Sequence, residues 1–141
     1  MMKKLVLVLT LILLQVNAGD FSPSDVKQLE ATLEHNIKSM NEEKLADYME
    51  DIHPLSPAFS GTKAFLKRLF VTYDLKATHM GMKPLMIDEK YFILKGKQKT
   101  IKLAGNAPFQ DNIVEAIHVY KKHKGKWLLW SSMILEVTPV K

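Results

Sequence analysis

The sequence predicts an α+β domain in which three N-terminal helices pack on a mainly antiparallel four-stranded sheet. Two observations carry this. Apolar residues recur at helical spacing as far as Asp74 and at extended spacing afterwards, and the helical half is complete before the strands begin, so the strands can pair with their neighbours.

The first helix opens on Ser22-Pro23-Ser24-Asp25, where Ser22 suits the N-cap, Pro23 the first helical position and Asp25 the reciprocal capping role. Val26, Leu29, Leu33, Ile37 and Met40 then form one apolar stripe. Asn41 is placed to cap a second, shorter helix that buries Leu45, Tyr48, Met49 and Ile52 and stops at His53-Pro54. A loop rich in Pro and Ser leads to Thr62, read as the cap of a third helix with Phe65, Leu66, Leu69, Phe70 and Tyr73 on its inner side. Strands are expected at 75–87, 91–103, 113–122 and 127–137, the first interrupted near Gly81 or Pro84.

Ahead of this domain, Lys3 and Lys4 precede an apolar run from Leu5 to Leu14, and Val16-Asn17-Ala18 supplies small or modest residues at the cleavage positions. This is the pattern of a signal peptide over residues 1–18, which makes residues 19–141 one secreted or periplasmic domain. No membrane span is expected after cleavage. The chain has no cysteine, so it can carry no disulfide, thiolate metal site or cysteine nucleophile. Removing Lys3 and Lys4 from a net charge of +5 leaves +3, enough for solubility and a weak pull on anions.

The order helix, short helix, His-Pro loop, helix and four long strands resembles the nuclear transport factor 2-like (NTF2-like, SnoaL-like) superfamily. The resemblance rests on Asn41 to Tyr48, Ile52-His53-Pro54, Thr62 to Asp74 running into a strand, Phe109-Gln110-Asp111-Asn112, and Lys124-Gly125-Lys126-Trp127 followed by Ser131-Ser132. It implies a cone made by a curved sheet around helices, but it does not imply one chemistry, because isomerases, dehydratases, hydrolases, assembly domains and binding proteins share that cone. The tyrosine of the steroid-isomerase-like members falls near Asn36 here and their general-base aspartate near Leu55 or Ser56, so that mechanism is not expected.

Candidate pocket residues are His118, an imidazole between Ile117 and Val119; His53, in the loop near the cone mouth; Tyr73, a hydroxyl at a helix end; and Asp111, a carboxylate between a loop and a strand. Each also has a structural reading: a bonded core histidine, a helix-end residue, a core aromatic and a turn residue. The five histidines show no ligand spacing beside an acidic cluster, so no metal and no cofactor are expected. Lysines 95, 97 and 99 alternate along one strand, which reads as a solvated face, and neither export nor any motif favours nucleic acid.

A two-residue turn at Lys124-Gly125 would pair Val119 with Trp130 and His118 with Ser131. Alternation then places Ile117, Val119, Trp130 and Ile134 on the sheet face away from His118. That second apolar face predicts a homodimer. Two functions follow: an exported domain that binds a small apolar or mixed ligand or a partner in its cone, with no clear catalytic set, or a small-molecule isomerase, dehydratase or hydrolase drawing on the pocket His, Asp and Tyr. For the first step, N-terminal sequencing of exported protein should read from Gly19, and a start at Met1 would contradict the signal peptide.

Overall fold

The computed structural model describes residues 21–141; the signal-peptide expectation lies outside the described residues. Three helices, α1 (Pro23–Asn41), α2 (Leu45–Glu50) and α3 (Phe59–Thr72), precede β1 (Asp74–Ile87), β2 (Tyr91–Ala104), β3 (Asn112–His123) and β4 (Lys126–Pro139). The strands form an antiparallel meander in the order β1-β2-β3-β4. This is the expected α+β architecture, and no described helix is long and apolar enough to cross a membrane.

Ser22 caps α1, its side chain accepting from the Asp25 N–H, with Pro23 in the first turn. Asp25 does not answer the cap. Its carboxylate accepts the indole N–H of Trp127 at 3.0 Å, which ties α1 to β4 and satisfies the one polar atom of a fully buried side chain. Trp127 packs with Leu29, Phe92, Leu94 and Tyr120, the Phe92 and Trp127 rings meeting edge to face at 5.8 Å. A second cluster of Met49, Ile52 and Leu66 joins α2 to α3, and Leu129 touches both.

Three local readings need correction. Asn41 ends α1 instead of capping α2, and its amide takes both backbone groups of Ala77, donating to the carbonyl at 3.0 Å and accepting from the N–H at 2.7 Å. A polar side chain that meets an open strand edge gains two bonds there and only one at a cap, which explains the choice. Helix α3 begins at Phe59, ahead of Thr62, because Ser56 fixes its start by accepting from the Ala58 N–H and donating to the Trp130 carbonyl at 2.6 Å. Within α3 Leu66 is buried against Met49 and Ile52, whereas Phe65, expected on the inner side, is exposed.

The sheet is irregular at defined places. β1 is continuous but shifts register between His79 and Met82 and between Pro84 and Met86, with Gly81 at φ +110°. β4 carries two extra residues, since Tyr120 pairs with Leu129 but Val119 with Ser131, and Ala116 pairs with Ile134 but Glu115 with Glu136. Trp130 and Leu135 are therefore bulge residues. Deleting the Trp127 side chain would open a large cavity and break the tie between α1 and β4, so Trp127→Ala should cost about 3 to 5 kcal/mol. A urea midpoint matching the parent would contradict this packing.

Candidate functional site

The concave face of the sheet and α1 enclose a cavity of about 230 Å³. Its walls are apolar: Leu33 and Ile37 from α1, Leu94 from β2, Val114 and Ala116 from β3, and Ile134 from β4. Strand alternation puts every second residue of β2 and β3 on this face, and the bulge at Trp130 brings Ser132 and Ile134 of β4 onto it.

The polar groups form two sets. On the sheet, His118 Nδ1 lies 2.7 Å from the Ser132 hydroxyl, the two residues being paired across β3 and β4. Gly96 on β2 gives the imidazole its room, because a Cβ there would lie 3.4 Å from its Cδ2 and 3.6 Å from its Nε2. Burial, with His79 adding a smaller push, lowers the His118 pKa and keeps the ring neutral.

The second set lies beside the helices, where Tyr48 and Tyr120 line the cavity together with Asn36. Burial raises both phenols, so each stays protonated and able to donate. Asp51 stands behind them, raised by burial although His35, 2.8 Å away, pulls in the opposite direction. The tyrosines, Asn36, His118 and Ser132 therefore present neutral donors and acceptors on mainly apolar walls, and Lys97, which also borders the cavity, bridges Glu115 at 3.1 Å. Among the described residues no cluster of three His, Asp or Glu is placed to hold a metal ion.

Of the residues singled out from the sequence, the structure brings only His118 to this cavity. His53 lies at the β4 edge, buried, with its ring 4.9 Å from that of His123 and 5.0 Å from that of Trp130, and its Nδ1 accepts from the Leu55 N–H. Tyr73 ends α3 and packs on Phe109 at 5.4 Å. Asp111 closes the β2–β3 loop, its carboxylate accepting from Lys102 N–H and its carbonyl from Val140 N–H. All three hold the framework.

The proposed dimer face divides in the same way. Ile117 and Val119 pair with Met133 and Ser131 on the outer face, while Ile134 lines the cavity. Trp130 is half-buried against His53, with the Lys121 ammonium 4.1 Å over its ring. One inserted residue, invisible to a count outward from the turn, reverses the alternation. Asn36, Tyr48 and His79 belong to the cavity only through the approach of α1, α2 and β1 to the concave face, and Ser132 only through the bulge, so no local pattern marks them.

A larger open groove of about 750 Å³ runs between α1 and β1, sharing Leu33, Ile37 and His79 with the cavity. Its charged groups, Glu30, Glu34, Lys38 and Glu42, follow the exposed side of α1 and do not converge on one point, whereas His118, Ser132 and the tyrosines surround one space. The smaller, deeper cavity is the better site.

The lowered imidazoles have a measurable consequence. Burial lowers His53 as well, helped by the charges of His123 and Lys121. Protonating either ring opposes folding, so the stability they contribute is complete above the ordinary imidazole value of about 6.5 and is lost as pH falls from there through the depressed folded values. Asp51, raised on folding, acts with the opposite sign. The urea midpoint should decline from pH 7 to pH 5, and a His53→Gln, His118→Gln variant should decline less. Equal slopes would contradict the assignment.

A search among curated proteins finds no match. Solved structures share the fold at low identity. A Nostoc punctiforme protein described as having a cystatin-like fold matches with a TM-score of 0.68 at 10% identity, over 86% of this chain and 96% of its own. A Streptomyces avermitilis protein described as a candidate dehydratase of the NTF2-like family matches with a TM-score of 0.67 at 11% identity, over 85% and 99%. A candidate scytalone dehydratase from Novosphingobium aromaticivorans gives 0.65 at 9%, over 84% and 89%. The architecture is thus the NTF2-like cone. The family profile described as the C-terminal domain of the anti-sigma-I factor RsgI9 matches residues 31–140, from within α1 to the end of β4, and the chain belongs to that family.

Proposed function

We propose that this is an exported NTF2-like domain that binds a small, mainly apolar ligand carrying one or two hydrogen-bonding oxygens, and that it associates with a second copy through its sheet. The observation that supports the binding reading best is the composition of the cavity. Apolar walls enclose about 230 Å³, below the range of drug-sized pockets, with two protonated phenols and an amide at the helical end and a neutral imidazole–hydroxyl pair on the sheet. Such a site recognises a neutral oxygen by hydrogen bonds and the rest of the ligand by burial. The family is named for a domain of an anti-sigma factor, a regulator, which favours recognition over turnover. Export is supported by the residues 1–18 pattern.

A second reading is a small-molecule isomerase, dehydratase or hydrolase. One observation favours it: His118 is neutral, lines the cavity and holds a hydroxyl at 2.7 Å, as a general base would. Against it, Asp51, the carboxylate nearest the tyrosines, is already held by His35, and none of the three other sequence-chosen residues joins His118.

Naphthol is a suitable probe, being flat, apolar and equipped with one hydroxyl. Titration followed by amide NMR should shift the signals of Tyr48, Gly96, His118 and Ser132. Gly96→Val should abolish those shifts, because its branches would enter the space beside His118, while leaving the protein folded. Shifts confined to the α1–β1 groove would contradict the reading.

A further inference from the structure

The sheet has two edges, β1 and β4. The β1 edge is defended: Asn41 occupies Ala77, two register breaks bend the strand, and Lys76, Lys83 and Pro84 stand along it. The β4 edge is half open. Asp51–His53 pairs with it only at Leu129, through His53 N–H to the Leu129 carbonyl at 2.9 Å and Leu129 N–H to the Asp51 carbonyl at 2.8 Å, and Ser56 closes the Trp130 carbonyl. From Ser132 to Thr138 the described residues provide no backbone partner other than β3. The side chains there are exposed and apolar, with Met133 at 58%, Ile134 at 64% and Val137 at 55% exposure and Glu136 the sole charge. A bare edge of this composition pairs with another strand.

The same stretch borders the cavity. Ser132 and Ile134 line it and are themselves exposed, so the cavity has no wall beyond them on the β4 side.

Building on the self-association proposed above, we infer that the open half of β4 pairs antiparallel with the same segment of a second copy, across a twofold axis near Leu135, and that the partner strand supplies the missing wall. Three features fit a second copy. With the axis at Leu135, Ile134 faces Glu136 and Ser132 faces Thr138, so no like charges lie directly opposite and the apolar side chains cover one another. Leu129, where Asp51–His53 blocks the edge, falls opposite Lys141, past the end of the partner's strand at Pro139, so the helical layers do not collide. A crevice of about 220 Å³ between Ile52, Ser56, Thr62 and Trp130 lies where the partner's Pro139 and Val140 arrive. Pairing through the outer sheet face is less favourable. Lys83, Lys95 and Lys97 stand around Ile93, Ile117 and Val119, and the one Glu115 between them already bridges Lys95 at 3.2 Å and Lys97 at 3.1 Å. Stacking two copies there sets lysines against lysines.

The cysteine-free chain makes the test direct. Under mild oxidation at tens of micromolar, Leu135→Cys should cross-link nearly completely to a dimer and Val119→Cys should not. Leu135→Lys should sediment as a monomer that still unfolds cooperatively, with a melting temperature that no longer rises with protein concentration as the parent's does. In that monomer the backbone amides of residues 132–137 should exchange several-fold faster, and diethyl pyrocarbonate should modify His118 several-fold faster. An unmutated chain that sediments as a monomer, or cross-linking through Val119→Cys instead, would overturn the pairing. Equal His118 reactivity in dimer and monomer would overturn the wall. None of these readouts uses naphthol, so failure here is separable from failure of the ligand reading.

Discussion

Trp130 has no partner of its own across β3, so the alternation of side chains along β4 reverses at that residue, and the chemistry of the cavity follows from the reversal. Without the bulge, Ser131 would face His118 and Ile134 would turn outward. With it, Ser132 meets the imidazole at 2.7 Å and Ile134 borders the cavity. The bulge is itself held from the helical side: the Ser56 hydroxyl donates to the Trp130 carbonyl and accepts from the N–H of Ala58, just ahead of α3, and His53 packs its ring on the indole. The loop between α2 and α3 therefore sets the register of the strand that completes the site.

The second support is the tie between Asp25 and Trp127. One hydrogen bond links residues 102 apart in the chain and lets the largest buried side chain stay fully desolvated. Because α1 is fixed to β4 at one end by this bond and to β1 at the other by Asn41, its middle is held over the sheet at the distance that leaves the cavity. The helix supplies Leu33, Asn36 and Ile37 to that space.

Helix order, strand limits and the α+β class were legible in the sequence because they depend on local period: strands expected at 91–103 and 113–122 occur at 91–104 and 112–123. The site was less legible. His118 is readable as a polar residue on an apolar strand, whereas His53, Tyr73 and Asp111 stand out only by residue type beside loops, and their contacts fix a turn, a helix end and a strand edge. Simple alternation puts Ile134 on the outer face, because a bulge leaves no mark in an apolar pattern. Tyr48 and Asn36 enter the cavity through helix packing, which no window along the chain contains.

The central claim is that the cone holds a small neutral ligand. Native mass spectrometry of protein isolated from its own compartment tests it most directly, since gentle ionisation preserves what an apolar cavity retains. The account predicts a mass above that of the bare chain by one small organic molecule per subunit, lost in the Gly96→Val variant. A bare mass in both would contradict it.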